Sequence, residues 1–348
     1  MSDWKIFQGN GQKKSKAIEQ LPPPPKWRQF SSDKTSSAAS KERLGATFQP
    51  PPEAVELVNA ALYLRRPLLV TGKPGTGKTS LVYAVAKELD LGEVLRWSIT
   101  TRTTLKNGLY DYDAIGRLQE TQRLLQKAQL DGNRVDIDKA VDIGQFLRLG
   151  PLGTALLPSN RPRVLLIDEI DKSDIDLPND LLNVFEEGEF EIPELVRLKQ
   201  TVEEVTVRTA YTDDTEAMTR ADLETTIKDG RVPCETFPFI VMTSNGERDF
   251  PPPFLRRCLR LDMREPQEDA LESIVTAHLD ELSDEATDLI KDFLARRDGT
   301  NGKRGGDLAT DQLLNAIYLV TRNQAPQGEE KTRLIDRLLK YLSSSEDA

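Results

Sequence analysis

Lys78 and Thr79 close a glycine-studded octapeptide, Gly72-Lys73-Pro74-Gly75-Thr76-Gly77-Lys78-Thr79, and Asp168 and Glu169 close an apolar run, Val164-Leu165-Leu166-Ile167. These two sets carry the clearest chemistry in the chain. The octapeptide fits the spacing Gly, four residues, Gly-Lys-Thr, in which the glycines let successive backbone N–H groups face one anion at the positive end of a helix. In that pattern Lys78 reaches β- and γ-phosphates and Thr79 holds Mg²⁺, so the implied ligands are ATP and Mg²⁺. Ser80 follows at the head of the helix and completes the nucleotide-binding set 72–80. The acidic pair divides the remaining work. Asp168 is expected to hold Mg²⁺ through water, and Glu169 to orient and deprotonate an attacking water. Either acid alone reads as a solvated strand end, and a glycine-rich turn alone reads as a turn. The pair downstream of the loop favours the catalytic reading.

The flanking patterns supply the elements that must position these residues. Pro67–Val70 is a short apolar run suited to a buried strand, and Ser80–Leu89 has helical spacing. Val94–Ile99 is a second strand, Thr100–Tyr112 reads as a loop, and Ala114–Ala128 and Ile137–Leu149 read as a helical insertion. Val164–Glu169 is a third strand, followed by a helix over Pro178–Glu187. Phe190–Ile192 and Glu203–Arg208 alternate and suggest an exposed hairpin, while Asp213–Asp229 reads as an acidic surface loop or short helix. Phe239–Thr243 is a further buried strand, and its following Asn245 offers an amide to a γ-phosphate or a water. Residues 251–261 read as a short helix entering a strand, with Arg256 and Arg257 at the junction. Four stretches then show helical spacing, Glu268–Leu282, Glu285–Arg296, Asp307–Arg322 and Glu330–Leu342, with Asp284 and Thr310 as cap or first-turn residues.

Composition narrows the function classes. The chain has 348 residues, 38% apolar and 30% charged, which suits a globular protein of up to two domains. Its net charge of −10 argues against sequence-independent nucleic-acid binding. A single histidine, His278, on a charged helical pattern argues against a histidine metal cluster and a Ser-His-Asp triad. Cys234 and Cys258 have no disulfide or zinc spacing, and neither a signal-peptide segment nor a membrane-length apolar run occurs, so a reducing cytoplasm is expected. Residues 1–48 contain Pro22–Pro25 and scattered lysines and read as a flexible tail, with Trp4, Phe7, Trp27 and Phe30 as incidental aromatics or a docking motif. A nucleotide-binding domain over 49–264 and a helical lid over 265–348 follow.

In order and type, the octapeptide, the acidic strand with Ile170-Asp171-Lys172 behind it, the strand ending Thr243-Ser244-Asn245 and the Arg256-Arg257 segment resemble AAA+ ATPases. GPLGTALL before the acidic strand, LPNDLLNVFEEGEFEIPEL after it and TSNGERDFPPPFLRRCL are similar to bacterial members of the MoxR family. The resemblance covers roughly residues 50–320. It implies an α/β nucleotide domain with strand order 5-1-4-3-2 and a small helical lid. It also implies a hexameric ring that remodels client proteins carrying a von Willebrand factor A domain. By the same resemblance Asn245 is the sensor-1 residue, Arg257 the arginine finger with Arg256 as alternate, and Arg304 the lid's sensor-2 base. Arg304 departs from the family pattern, since two glycines follow it and Asp307 stands near the expected position. The stretches 190–208 and 114–128 resemble that family's two insertions. A DNA-linked motor and a nucleotide-gated assembly or signalling module, of the kind used in bacterial defence, are the alternative readings. The acidic balance and the absence of an added DNA-binding motif disfavour the first.

Overall fold

The computed structural model describes residues 5–7, 19, 21–25, 45, 48–131, 142–211, 219–279, 282–300, 305–322 and 325–342. Trp4, Trp27, Phe30 and Arg304 therefore lie outside the described residues. The chain divides into two compact units. One contains residues 33–72 and 78–263, the other residues 1–32, 73–77 and 264–348.

The larger unit is built on five parallel strands: β1 (Leu68–Thr71), β2 (Leu95–Ser98), β3 (Val164–Asp168), β4 (Phe239–Ser244) and β5 (Leu259–Asp262). Their spatial order is β5-β1-β4-β3-β2, the expected 5-1-4-3-2. The strands are nearly continuous apolar runs because both faces are covered. Leu68, Val70, Leu166, Val241 and Leu261 turn to one core, which α1 (Pro52–Leu64) and α2 (Lys78–Glu88) complete. Leu69, Trp97, Leu165, Ile167, Ile240 and Met242 turn to the other, which α4 (Pro151–Ala155) and α5 (Leu177–Glu187) help to close. The register pairs Thr71 with Ser244 and Ser98 with Asp168, so the strands end level at one edge. That carboxyl edge is where open α/β sheets bind ligands.

Between β2 and β3 the chain is more varied than its helical spacing suggests. α3 (Ala114–Asp131) is a helix as expected. Thr100–Tyr112, however, contains a helical turn over Leu105–Leu109 and a strand over Tyr110–Tyr112. Of Ile137–Leu149, the described part is a 3₁₀ turn over Ile143–Phe146 and a strand over Leu147–Leu149, not an α-helix. Both strands enter a second, six-stranded sheet. In it Glu204–Arg208 pairs antiparallel with Glu224–Lys228, and Glu189–Glu191 with Arg231–Pro233. The expected hairpin between 190–192 and 203–208 is therefore corrected, and so is the loop reading of 224–228. Nor are the strands mere surface decoration: Phe190, Val205, Val207, Ile227 and Val232 are buried. Glu224-Thr-Thr-Ile-Lys228 has one apolar residue, too few for a readable period, and takes its strand form from a long-range ladder.

Among the described residues the smaller unit carries four α-helices: α7 (Glu268–Leu279), α8 (Asp284–Asp298), α9 (Thr310–Val320) and α10 (Glu329–Leu338). They close on Leu271, Val275, Ile290, Phe293, Leu313 and Ile317. At α8 the cap is Ser283, whose hydroxyl accepts from Ala286 N–H, and Asp284 is its first-turn neighbour. At α9 Gln312 Oε1 accepts from Ala309 N–H at 2.9 Å. In the same unit Lys73 pairs with Asp307 at 2.7 Å and Glu265 at 3.3 Å, and the hydrogen bond to Asp307 chiefly raises its pKa. Asp307 is thus an acceptor toward residues 73–77 rather than a base. Among the described residues no helix is long and apolar enough to cross a membrane.

Candidate nucleotide site

β1 delivers the chain to Gly72, and α2 starts at Lys78. The turn between them needs left-handed backbone at Gly72 (φ 147°), Gly75 (φ 80°) and Gly77 (φ 88°), which side-chain-bearing residues adopt at a cost. Thr76 is buried and its hydroxyl donates to Lys73 O at 2.9 Å, while Lys73, Pro74 and Gly75 are exposed. Lys78 is buried, with Nζ donating to Gly72 O at 2.5 Å. Thr79 and Ser80 are half-buried. Burial pulls the Lys78 pKa below its usual value, and the fields of Asp171, Asp168 and Glu169 oppose that shift. The loop lysine and the acids behind β3 therefore share one electrostatic neighbourhood.

The acids are held by a small network. Thr243, the fifth residue of β4, donates its hydroxyl proton to Asp168 Oδ1 at 2.7 Å and accepts Glu169 N–H at 2.9 Å. Arg96 on β2 donates Nε and Nη2 to Asp168 Oδ2 at 3.1 and 2.6 Å. Asp168 is 7% exposed, so these donors replace the water it gave up. Glu169 has left-handed backbone, φ 61° and ψ 50°, a conformation that costs a glutamate about 1–3 kcal/mol. Its carboxylate pairs with Lys172 at 2.8 Å. An open cavity of 520 Å³ lies here, lined among others by Ile99, Thr100, Glu169, Asp171, Lys172 and Arg248.

Asp171 was visible in the sequence only as a third acid behind the strand. It is 3% exposed, and its Oδ2 accepts N–H from Asn245 at 2.8 Å and from Glu247 at 3.1 Å. Its Oδ1 is buried without a hydrogen-bond partner, a state that costs roughly 1–3 kcal/mol. Asn245, half-buried, is thus fixed at the same edge as the acids. Arg257, last residue of α6 (Pro252–Arg257), is ion-paired with Glu186 on α5; Arg256 is exposed. The arrangement brings Lys78, Asp168 and Glu169 together with Asn245 nearby, and leaves Arg257 engaged elsewhere. Thr243, Asp171 and Arg96 are the additions from the structure. The signals for them were a hydroxyl closing an apolar strand, an acid three residues past Asp168 and a charge inside β2.

The donor set fits a magnesium-bound triphosphate. The glycine turn would supply N–H groups, Lys78 a buried cation, Thr79 and Asp168 oxygen ligands, and Glu169 a base. No curated protein matches the chain. The family described as AAA domain (dynein-related subfamily) matches residues 67–257, from the start of β1 to the end of α6 and more than half of the chain. With its 5-1-4-3-2 parallel sheet and its strand-turn-helix at residues 68–88, this chain belongs to the AAA domain family, dynein-related subfamily.

Proposed function

We propose that this protein is a MoxR-type AAA+ ring motor that hydrolyses ATP with Mg²⁺ and uses the energy to remodel protein partners. The observation that carries the reading is Lys78, a buried ammonium at the foot of a glycine turn, in the field of Asp168 and Glu169. A triphosphate between them supplies the anion that such a buried cation favours. Gly72–Ser80 bind the nucleotide, and Thr79 with Asp168 hold Mg²⁺, whose charge offsets that of the phosphate oxygens. Glu169 removes the proton of the attacking water, and Asn245 orients that water. Arg257 acts in a neighbouring protomer's site, which makes turnover depend on a hexameric ring. Arg304 serves as the sensor-2 base of a lid over 265–348, which follows the tail 1–48 and the nucleotide domain 49–264 along the chain.

The MoxR reading rests on the sequence blocks before and after β3 and around Asn245. It makes a client with a von Willebrand factor A domain the expected partner, in preference to nucleic acid, and involves no membrane. Two free thiols, Cys234 and Cys258, support a cytoplasmic setting. The deciding experiment is Glu169→Gln. Turnover is expected to fall by about 10²–10⁴ while ATP still binds. Wild-type turnover in that variant removes Glu169 from the mechanism. Retained on resin with ATP, the same variant is expected to hold its client.

A further inference from the structure

We propose that Asp171 is the positioning residue that locks the turn bearing Asn245 against the acidic end of β3, an inference that rests on the ATPase reading above. The geometry is specific. Asp171 lies on the 3₁₀ turn Ile170–Lys172, whose first carbonyl partner is Glu169 itself: Lys172 N–H donates to Glu169 O at 3.0 Å. From that turn Asp171 Oδ2 gathers two N–H groups of the turn after β4, those of Asn245 and Glu247. Gly246 between them has φ 81°, the left-handed bend that lets both N–H groups converge. Arg248 Nη1 adds a third tie at 2.8 Å to Ser173 O. One carboxylate therefore sets the separation between the proposed base Glu169 and the proposed water-orienting amide of Asn245. Such separations matter because a displacement of one ångström lowers rate steeply.

A purely structural role is the competing reading, since buried carboxylates often cap turns. The setting separates the two: the turn that Asp171 holds carries Asn245, and Asp171 lines the cavity together with Glu169. The field of Asp171 also raises the Lys78 pKa against the effect of burial. In the proposed mechanism it touches no reacting atom and acts through Asn245.

The test compares Asp171→Ala and Asp171→Asn with Glu169→Gln and Asn245→Ala in the full chain. Readouts are kcat, KM for ATP, affinity for a fluorescent ATP analogue, and hydrogen exchange of the peptide spanning 244–248. An asparagine keeps the oxygen that accepts both N–H groups; an alanine keeps none. Asp171→Ala is expected to lower kcat at least about tenfold with KM within about threefold, because nucleotide binding itself is intact. Exchange at 244–248 should accelerate in that variant. Asp171→Asn should restore slow exchange and most of kcat. Adding Asp171→Ala to Asn245→Ala should lower kcat little further, as expected for residues acting as a unit. Should the alanine variant lose its fold, Asp171→Leu, which fills more of the space and also keeps no acceptor, is read the same way. Wild-type kcat in Asp171→Ala, parallel loss of affinity and kcat, or an asparagine variant as slow as the alanine one overturns the proposal. A wild-type chain without ATP turnover instead removes the ATPase reading on which it rests, and wild-type turnover in Glu169→Gln removes Glu169 as the base.

Discussion

The hydroxyl of Thr243 donates to Asp168 Oδ1 at 2.7 Å, across the β3–β4 pair. The same oxygen accepts Glu169 N–H at 2.9 Å, so one threonine holds the first acid's carboxylate and the second acid's backbone. Thr243→Val keeps the shape and removes both bonds. It leaves a buried acceptor and a strained N–H without partners, and is expected to destabilise the protein by about 1–3 kcal/mol. Turnover should fall more than nucleotide affinity. Urea unfolding and steady-state kinetics check the two halves, and a variant equal to wild type in both would contradict the network.

Arg96 competes for the other oxygen of Asp168, donating twice to Oδ2. Its side chain is 54% exposed, so the pair itself adds no more than about 1 kcal/mol to stability. Arg96→Ala should therefore lower the melting temperature less than Thr243→Val does. It should also free Oδ2 and lower the Mg²⁺ concentration that gives half-maximal ATPase activity. A Mg²⁺ titration decides this; a higher requirement in the variant would mean that Arg96 orients Asp168 for the metal.

Arg257 is engaged with Glu186 in the described chain. If it works in a neighbour's site, Arg257→Ala should lower turnover by about 10³ while leaving ATP affinity in place. Mixing Arg257→Ala with Glu169→Gln should then recover activity, because some pockets combine an intact Glu169 with an intact Arg257. An equimolar mixture no faster than the sum of its parts argues against action in trans.

Gly153 lies where α4 crosses the carbonyl of Leu109, and a Cβ there would stand 2.0 Å from that oxygen. Gly153→Ala forces a backbone shift in the core beside β2 and is expected to cost about 1–3 kcal/mol. Thermal unfolding measures it. A melting temperature equal to wild type would show that α4 moves freely.

Burial raises the pKa of both thiols, and that of Cys258 reaches about 12. A thiol raised above its unfolded value of about 9 contributes stability that is complete below pH 9 and is lost as the pH climbs toward 12. Cys258 should therefore resist iodoacetamide at pH 8.5 in native protein and react on unfolding, with Cys234, half-buried, labelled first. Cys258→Ala should flatten the alkaline limb of the stability profile. Equal labelling rates for the two thiols in native protein would contradict their different burial.

The sequence by itself determined the glycine loop, the acidic strand end and the five parallel strands. Each is a short contiguous pattern whose chemistry is local: glycines that permit a bend, apolar runs buried on both faces, acids at the end of one of them. It also marked the lid helices, because their apolar spacing repeats over three or four turns. Only the tertiary structure decided the second sheet, where Glu224–Lys228 pairs with Glu204–Arg208 although its own pattern is faint. It also decided the partners of the acids. Thr243 stands 75 residues from Asp168 and Asn245 stands 74 from Asp171, and no spacing in one dimension reports a hydrogen bond across neighbouring parallel strands. Patterns of burial are written along the chain, whereas the pairing of polar groups depends on which strands lie side by side and in what register.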